Sequence, residues 1–171
     1  MSDPLSFTIR AVEEQDREWI LDFISSSWGG DMVVVNGEAY FPHDLPGFVA
    51  LNQEDITIGL VTYRIFAGVC EIITLNSLVK KEGVGSKLIT AVALEASKAG
   101  CHKLSVTTTN DNQLAIDFYN KRGFKIKEIR KGAVRNARKI KPGIPEISPT
   151  GIPIEDEWEF EKLVSQMNKE D

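Results

Sequence analysis

Cysteine and histidine are both scarce: the chain of 171 residues carries two of each. Cys70 and Cys101 supply no disulfide-rich framework, and their apolar surroundings (Gly-Val-Cys-Glu-Ile and Ala-Gly-Cys-His-Lys) predict small buried thiols rather than nucleophiles. No group of Cys, His and carboxylate residues has metal-ligand spacing, so no metal is expected. His102 follows a helical pattern, where a cation complements the helix C-terminus. Positive charge is also short. Lys and Arg total 20 against 25 Asp and Glu, a formal net charge of -5. A duplex nucleic acid requires a basic face, so this balance argues against one as partner. The one basic segment, Lys131, Arg135, Arg138, Lys139 and Lys141, reads as solvated surface. No apolar run approaches a membrane span, and the opening MSDPLSFTIRAVEEQD lacks a basic leader before an apolar stretch. A reduced, cytoplasmic compartment is the simplest expectation.

What the chain does have is an ordinary globular composition, 42% hydrophobic and 26% charged. Its length suits one domain spanning residues 1–171 with a full core. Residues 6–12 alternate as a short edge strand. From about residue 14, Trp19, Ile20, Phe23 and Ile24 recur at helical spacing, and Ser-Ser-Ser-Trp-Gly-Gly stops that helix. An irregular stretch is expected through Asp44. Residues 47–51, 57–65 and 69–75 read as an antiparallel meander, with a hairpin turn at 52–55. Val84, Leu88, Val92 and Ala96 form the clearest helical stripe, broadened by Ile89 and Leu94 and closed by Gly100. A strand at 103–109 follows. Asn110-Asp111-Asn112 then offers N-cap side chains for a helix at 113–122. Strands are expected at 124–130 and 158–163. The Gly-, Pro- and Lys/Arg-rich segment 132–153 between them reads as a long loop with one helical turn. The pattern predicts a mixed α/β sheet with helices on both faces.

Between strand and helix lies Lys80-Lys81-Glu82-Gly83-Val84-Gly85-Ser86-Lys87-Leu88. A strand-to-helix turn of this kind points the first N–H groups of the helix outward and favours an anion. The mononucleotide loop, G-x-x-x-x-G-K-S/T, does not match. Neither does the dinucleotide fingerprint, because its third glycine position is Leu88 and several antiparallel strands precede the loop. A glycine-eased helix entry with no ligand stays open on this stretch alone.

Read together, Leu75-Asn76-Ser77, Lys80-x-x-Gly83-x-Gly85 and Asn112-x-x-Ala115-x-x-Phe118-Tyr119-x-x-x-Gly123-Phe124 resemble the GNAT family of N-acetyltransferases. The likeness is close from about residue 69 to 125. It implies a single α+β domain whose mostly antiparallel sheet contains a splayed central parallel pair, and a monomer or homodimer. It implies acetyl-coenzyme A as co-substrate, held by Leu75, Asn76, Ser77, Lys80, Gly83, Val84, Gly85, Ser86 and Asn112. The pyrophosphate would rest on the glycine loop, with Lys80 where the family usually has Gln or Arg. Lysine keeps the charge there but loses the planar fork. The Leu75 N–H would polarise the thioester carbonyl, and Asn112 would bond the pantetheine arm. Tyr119 matches the general acid that protonates the departing thiolate. Glu71 is similar to a glutamate that serves as base in some branches, acting directly or through a water.

By the same resemblance, the acceptor, an amine of unknown identity with a small molecule favoured over protein, approaches opposite the cofactor. There Trp28 would wall the site, the loop holding His43 would border it, and the acidic run Glu155-Asp156-Glu157 would attract an ammonium. Two other classes remain: a coenzyme A-binding regulatory module without turnover, and an unrelated phosphate-binding α/β protein.

Overall fold

The computed structural model describes residues 6–79 and 83–167. The described chain runs β1 (Phe7–Ala11), α1 (Arg17–Trp28), β2 (Val33–Val35), β3 (Glu38–Tyr40), β4 (Gly47–Asn52), β5 (Thr57–Phe66), β6 (Val69–Ser77) and α2 (Val84–Lys98). It continues through β7 (Lys103–Thr109), α3 (Gln113–Lys121), β8 (Lys125–Arg130), α4 (Ala133–Ile140), β9 (Glu157–Leu163) and α5 (Val164–Met167). Seven strands form one sheet in the order β1-β4-β5-β6-β7-β9-β8, and β2 and β3 form a separate hairpin. All neighbours in the large sheet are antiparallel except β6 and β7. The mixed sheet expected from the sequence is the one observed.

Successive residues of a strand face opposite sides of a sheet, and this alternation divides the core in two. On one side, Ile20 and Ile24 of α1 pack with Val49 and Leu60. On the other, the α2 stripe Val84, Leu88, Val92 and Ala96 meets Val61, Ile72, Leu104 and Phe160. Burial of each such Val or Leu contributes about 1.5–3 kcal/mol, enough to press α2 firmly on the sheet. Cys70 and Cys101 are both buried free thiols. Burial pushes the Cys70 thiol up to about 12, so at neutral pH it stays protonated and unreactive.

Two features position the site. The β6–β7 pairing runs only from Val69↔Lys103 to Ile72↔Val106, although the strands continue to Ser77 and Thr109. The parallel pair therefore opens towards its C-terminal ends. At the same level the β5–β6 register shifts, Thr62 facing Thr74 and Tyr63 facing Ile72, which leaves Ile73 as an extra residue. A bulge of this kind bends its strand and re-aims the residues beyond it, here Leu75 and Asn76.

The second feature is an ionic cluster below the hairpin. Arg130 donates to Glu157 at 3.0 Å, to Glu159 at 2.6 Å and to the Thr107 hydroxyl at 3.1 Å. Glu157 is 3% exposed, and its carboxylate also accepts the Asn36 N–H at 3.1 Å. That bond ties the β2–β3 turn to β9.

Two segments differ from expectation. The stretch read as irregular contains the β2–β3 hairpin, turned by Asn36 (φ +49°) and Gly37 (φ +79°), and a short 3-10 turn at Pro42–Asp44. Asn-Gly is the strongest short hairpin signal, because both residues tolerate the positive φ that a type I′ turn requires. In the 132–153 segment α4 is eight residues long rather than one turn, because Val134 and Ala137 bury one face. Among the described residues no helix is long and apolar enough to cross a membrane, and no group of His, Cys, Asp and Glu could hold a metal ion.

Candidate active site

The α2 entry shows why two glycines stand there. Gly83 is the N-cap residue and adopts a left-handed conformation, φ +75° and ψ +13°, which glycine alone takes at little cost. Gly85 has a different reason. A Cβ on it would lie 3.0 Å from Cζ of Phe118, so the missing side chain lets the α3 aromatic lie against the loop. The Lys87 N–H bonds the Gly83 carbonyl at 3.1 Å, whereas the N–H groups of Val84, Gly85 and Ser86 meet no acceptor among the described residues. Free helix N-terminal N–H groups and the helix dipole both favour negative charge at such a position. Lys80 lies outside the described residues.

Arg122, which no reading of the sequence singled out, completes this corner. Its guanidinium stacks 3.5 Å above the Phe118 ring and donates from Nε and Nη2 to the Ser86 hydroxyl at 2.8 and 2.5 Å. Lys162, itself 3% exposed, donates to the Arg122 carbonyl and fixes the end of α3. Ser86, Lys87, Thr90, Lys121, Arg122 and Met167 line a cavity of about 490 Å³ with three cations on its wall. Arg122 occupies an unspecified position of the Asn…Gly-Phe pattern. The only signal in the sequence was its place one residue before Gly123.

The Asn112 side chain accepts the Ala115 N–H at 3.2 Å and caps α3, as its position predicts. Tyr119, further along the same helix, is 5% exposed. Its ring sits edge-on to Phe118 and Phe124, at 5.3 and 5.4 Å, and 5.9 Å from Phe160. Among the described residues no group hydrogen-bonds its hydroxyl. Burial raises the phenol well above its usual pKa, with the Arg122 charge opposing, so it is neutral across the physiological range. The Trp158 Nε1, on β9 opposite Thr108 of the opened β7 end, is buried without a partner among the described residues, as is the His43 Nδ1.

On the other side of the sheet, Asn76 accepts the Trp28 indole N–H at 3.4 Å, which brings the α1 C-terminus to the residue after Leu75. The Ser77 hydroxyl donates to the Val79 carbonyl at 2.5 Å. Glu71 is engaged: Arg64 donates to it at 2.9 Å, and Arg64 also lies 5.1 Å from the centre of the Tyr40 ring. Glu71 and Leu75 are four residue steps apart along the strand, roughly 13 Å.

Two members of the acidic run are engaged within the protein, and Glu155 is exposed. Glu157 is held by Arg130, and the Asp156 carboxylate accepts the Gly132 N–H at 2.9 Å. The basic segment is also only partly solvated. Arg138 donates to the carbonyls of Ile144, Pro145 and Ile154, and Lys141 to those of Trp28 and Met32. These two cations fold the 141–154 loop back over the α1 terminus, and Lys131, Arg135 and Lys139 are exposed.

Comparison with known proteins matches the chain to the acetyltransferase (GNAT) family model over residues 12–124. The uncharacterised protein YdhI of Bacillus subtilis (strain 168) is 37% identical over 148 residues, covering 86% of this chain and 92% of that one. Among solved structures, the IAA acetyltransferase from Bacillus cereus superposes with a TM-score of 0.66 at 20% identity, covering 92% of this chain and 99% of that one. The putative acetyltransferase yncA from Salmonella typhimurium, solved with its cofactor acetyl-CoA, gives a TM-score of 0.66 at 16% identity, with 93% and 94% covered. The opened parallel pair, the glycine entry of α2 and the Asn112–Tyr119 helix thus lie in a chain that belongs to the GNAT acetyltransferase family.

Proposed function

We propose that this protein transfers the acetyl group of acetyl-coenzyme A to a primary amine by direct attack with both substrates bound. The observation that carries this reading is the conjunction at one place of the opened β6–β7 pair, an α2 N-terminus whose first N–H groups meet no acceptor among the described residues, and the buried Tyr119, whose hydroxyl has no partner among them either.

The residues fit the co-substrate. The N–H groups of Val84, Gly85 and Ser86 donate to the pyrophosphate, Lys80 adds charge, and Arg122, Lys87 and Lys121 hold phosphate oxygens along the adjoining cavity. The pantetheine arm lies in the gap beside Leu75, Asn76 and Ser77, with Asn112 at its side. The Leu75 N–H faces the oxygen that gains charge, a contact worth on the order of 3 kcal/mol in a dry site. As the amine nitrogen bonds to the carbonyl carbon and the C–S bond breaks, Tyr119 gives its proton to sulfur. The amine releases its own proton through water. Glu71, set well back along β6 and tied to Arg64, acts through that water rather than by contact. Trp28 walls the acceptor side.

Arg122→Met tests the cofactor half of this account. Loss of a charge-assisted phosphate contact raises the Kd for acetyl-coenzyme A about tenfold, read by calorimetry, while wild type prefers acetyl-coenzyme A to ATP. Equal affinity of wild type for the two ligands would identify a general phosphate site instead.

A further inference from the structure

A second cavity, of about 460 Å³, opens on the acceptor side of the sheet. Its walls come from the α1 terminus (Trp28), the β2 strand (Val33, Val34), the β7 end and the 141–154 loop (Ile144, Pro145). Trp28 bonds Asn76, next to Leu75, and Thr109 ends the other strand of the opened pair, so the cavity adjoins the gap where the thioester would lie.

Two charged side chains, Asp111 and Lys141, interrupt this apolar lining. Neither has an ionic partner within 4.0 Å among the described residues, and they do not pair with each other. One carboxylate oxygen of Asp111 accepts the Thr109 hydroxyl at 2.5 Å, and the other oxygen has no partner among the described residues. Lys141 donates two of its three protons to the carbonyls of Trp28 and Met32, at 2.5 and 2.7 Å, and Asp31 attracts it only from beyond ion-pair distance. Partly buried charges of opposite sign are costly unless paired, and here both border one apolar space.

We propose that this cavity binds the acceptor as a small zwitterion with an apolar side chain, an α-amino acid rather than a simple amine. Asp111 meets its ammonium, Lys141 meets its carboxylate, and Trp28 with the loop residues covers the side chain. The proposal rests on the acetyl-transfer reading for its chemistry, but not for binding. An apolar amine would leave Lys141 uncompensated, and an acidic metabolite without an amine would leave Asp111 so.

The test compares L-leucine and L-methionine with their decarboxylated counterparts, isoamylamine and 3-(methylthio)propylamine, using wild-type protein. Acetylation is followed by thiol release, and binding to the protein without acetyl-coenzyme A by ligand-observed NMR. The amino acids are expected to have kcat/KM about tenfold or more above the amines. Lys141→Met should erase that preference by lowering the amino-acid rate about tenfold more than the amine rate, since both classes share the wall that Lys141 braces through Trp28 and Met32, and Asp111→Asn should lower both classes equally. Amines turned over as well as the amino acids would overturn the proposal and leave acetyl transfer standing. Amino acids that bind in preference to the amines, with no acetyl transfer to any compound, would uphold the pocket and overturn the transferase reading. Absence of amino-acid binding and of turnover preference would overturn the pocket.

Discussion

Tyr119→Phe is expected to lower kcat by about 10²–10⁴, the range for losing a positioned general acid, with little change in the Kd for acetyl-coenzyme A. The same substitution should leave the fold intact. The ring is enclosed by Phe118, Phe124 and Phe160, and phenylalanine keeps all of those contacts. The hydroxyl has no partner among the described residues, so its removal leaves no group there unsatisfied. Stability should therefore change by less than about 1 kcal/mol. This separation makes the variant informative: a tyrosine that only packs would lose neither activity nor stability. Single-turnover thiol release measures the first effect and urea denaturation the second. Unaltered turnover would remove Tyr119 from the chemistry.

Arg130→Met is expected to give the largest loss of stability, about 3–5 kcal/mol, because removing one member of a buried ion cluster strands the others. The stranded group is Glu157, 3% exposed and also responsible for holding the Asn36 N–H. Two further consequences separate this mechanism from lost packing. Glu157→Gln in the Arg130→Met background should restore part of the stability, since no buried charge then remains at that position. Acid sensitivity should also shift. Burial pushes the Glu159 carboxyl up, but the hydrogen bond from Arg130 and the charge of Lys127 outweigh it and hold it below its usual value. A carboxyl whose folded-state pKa is depressed contributes stability above its unfolded pKa, and loses it as pH falls through the lower folded value. Without Arg130 that contribution shrinks, so the acid unfolding midpoint should move to higher pH. The freed β2–β3 hairpin lines the acceptor cavity through Val33 and Val34, so the acceptor KM should rise while cofactor affinity stays constant. Denaturation curves across pH and steady-state kinetics check both.

The elements that carry the site were legible in the sequence where a long periodic signal backed them. The α2 stripe lies on a helix of fifteen residues, and Asn112 sits where a helix needs a cap, so both could be read from local physics. The β2–β3 hairpin was missed because three residues are too few to show alternation, although Asn36-Gly37 marked its turn. The length of α4 was hidden by flanking Gly and Pro and by a basic composition that resembles a loop.

The site was legible along α2 and α3 and opaque across them. Gly85 was legible as part of the glycine loop, but not the close approach of Phe118, on the following helix, that a side chain there would obstruct. Arg122 reaches Ser86 across 36 residues, and Lys141 reaches Trp28 across 113. Nothing in a linear pattern announces such contacts. Within the acidic run at 155–157, the pairing of Glu157 was hidden for the same reason, since its partner Arg130 lies on β8.

The most direct measurement of the central claim follows an isotopically labelled acetyl group from acetyl-coenzyme A into a panel of amino acids, amines, peptides and amine-bearing antibiotics. The account predicts that at least one amine becomes a labelled amide, with thiol released in equal amount, and that Tyr119→Phe suppresses both. Saturable binding of acetyl-coenzyme A with no amide from any amine, and background thiol release identical in wild type and Tyr119→Phe, would contradict it and identify a coenzyme A-binding module without turnover.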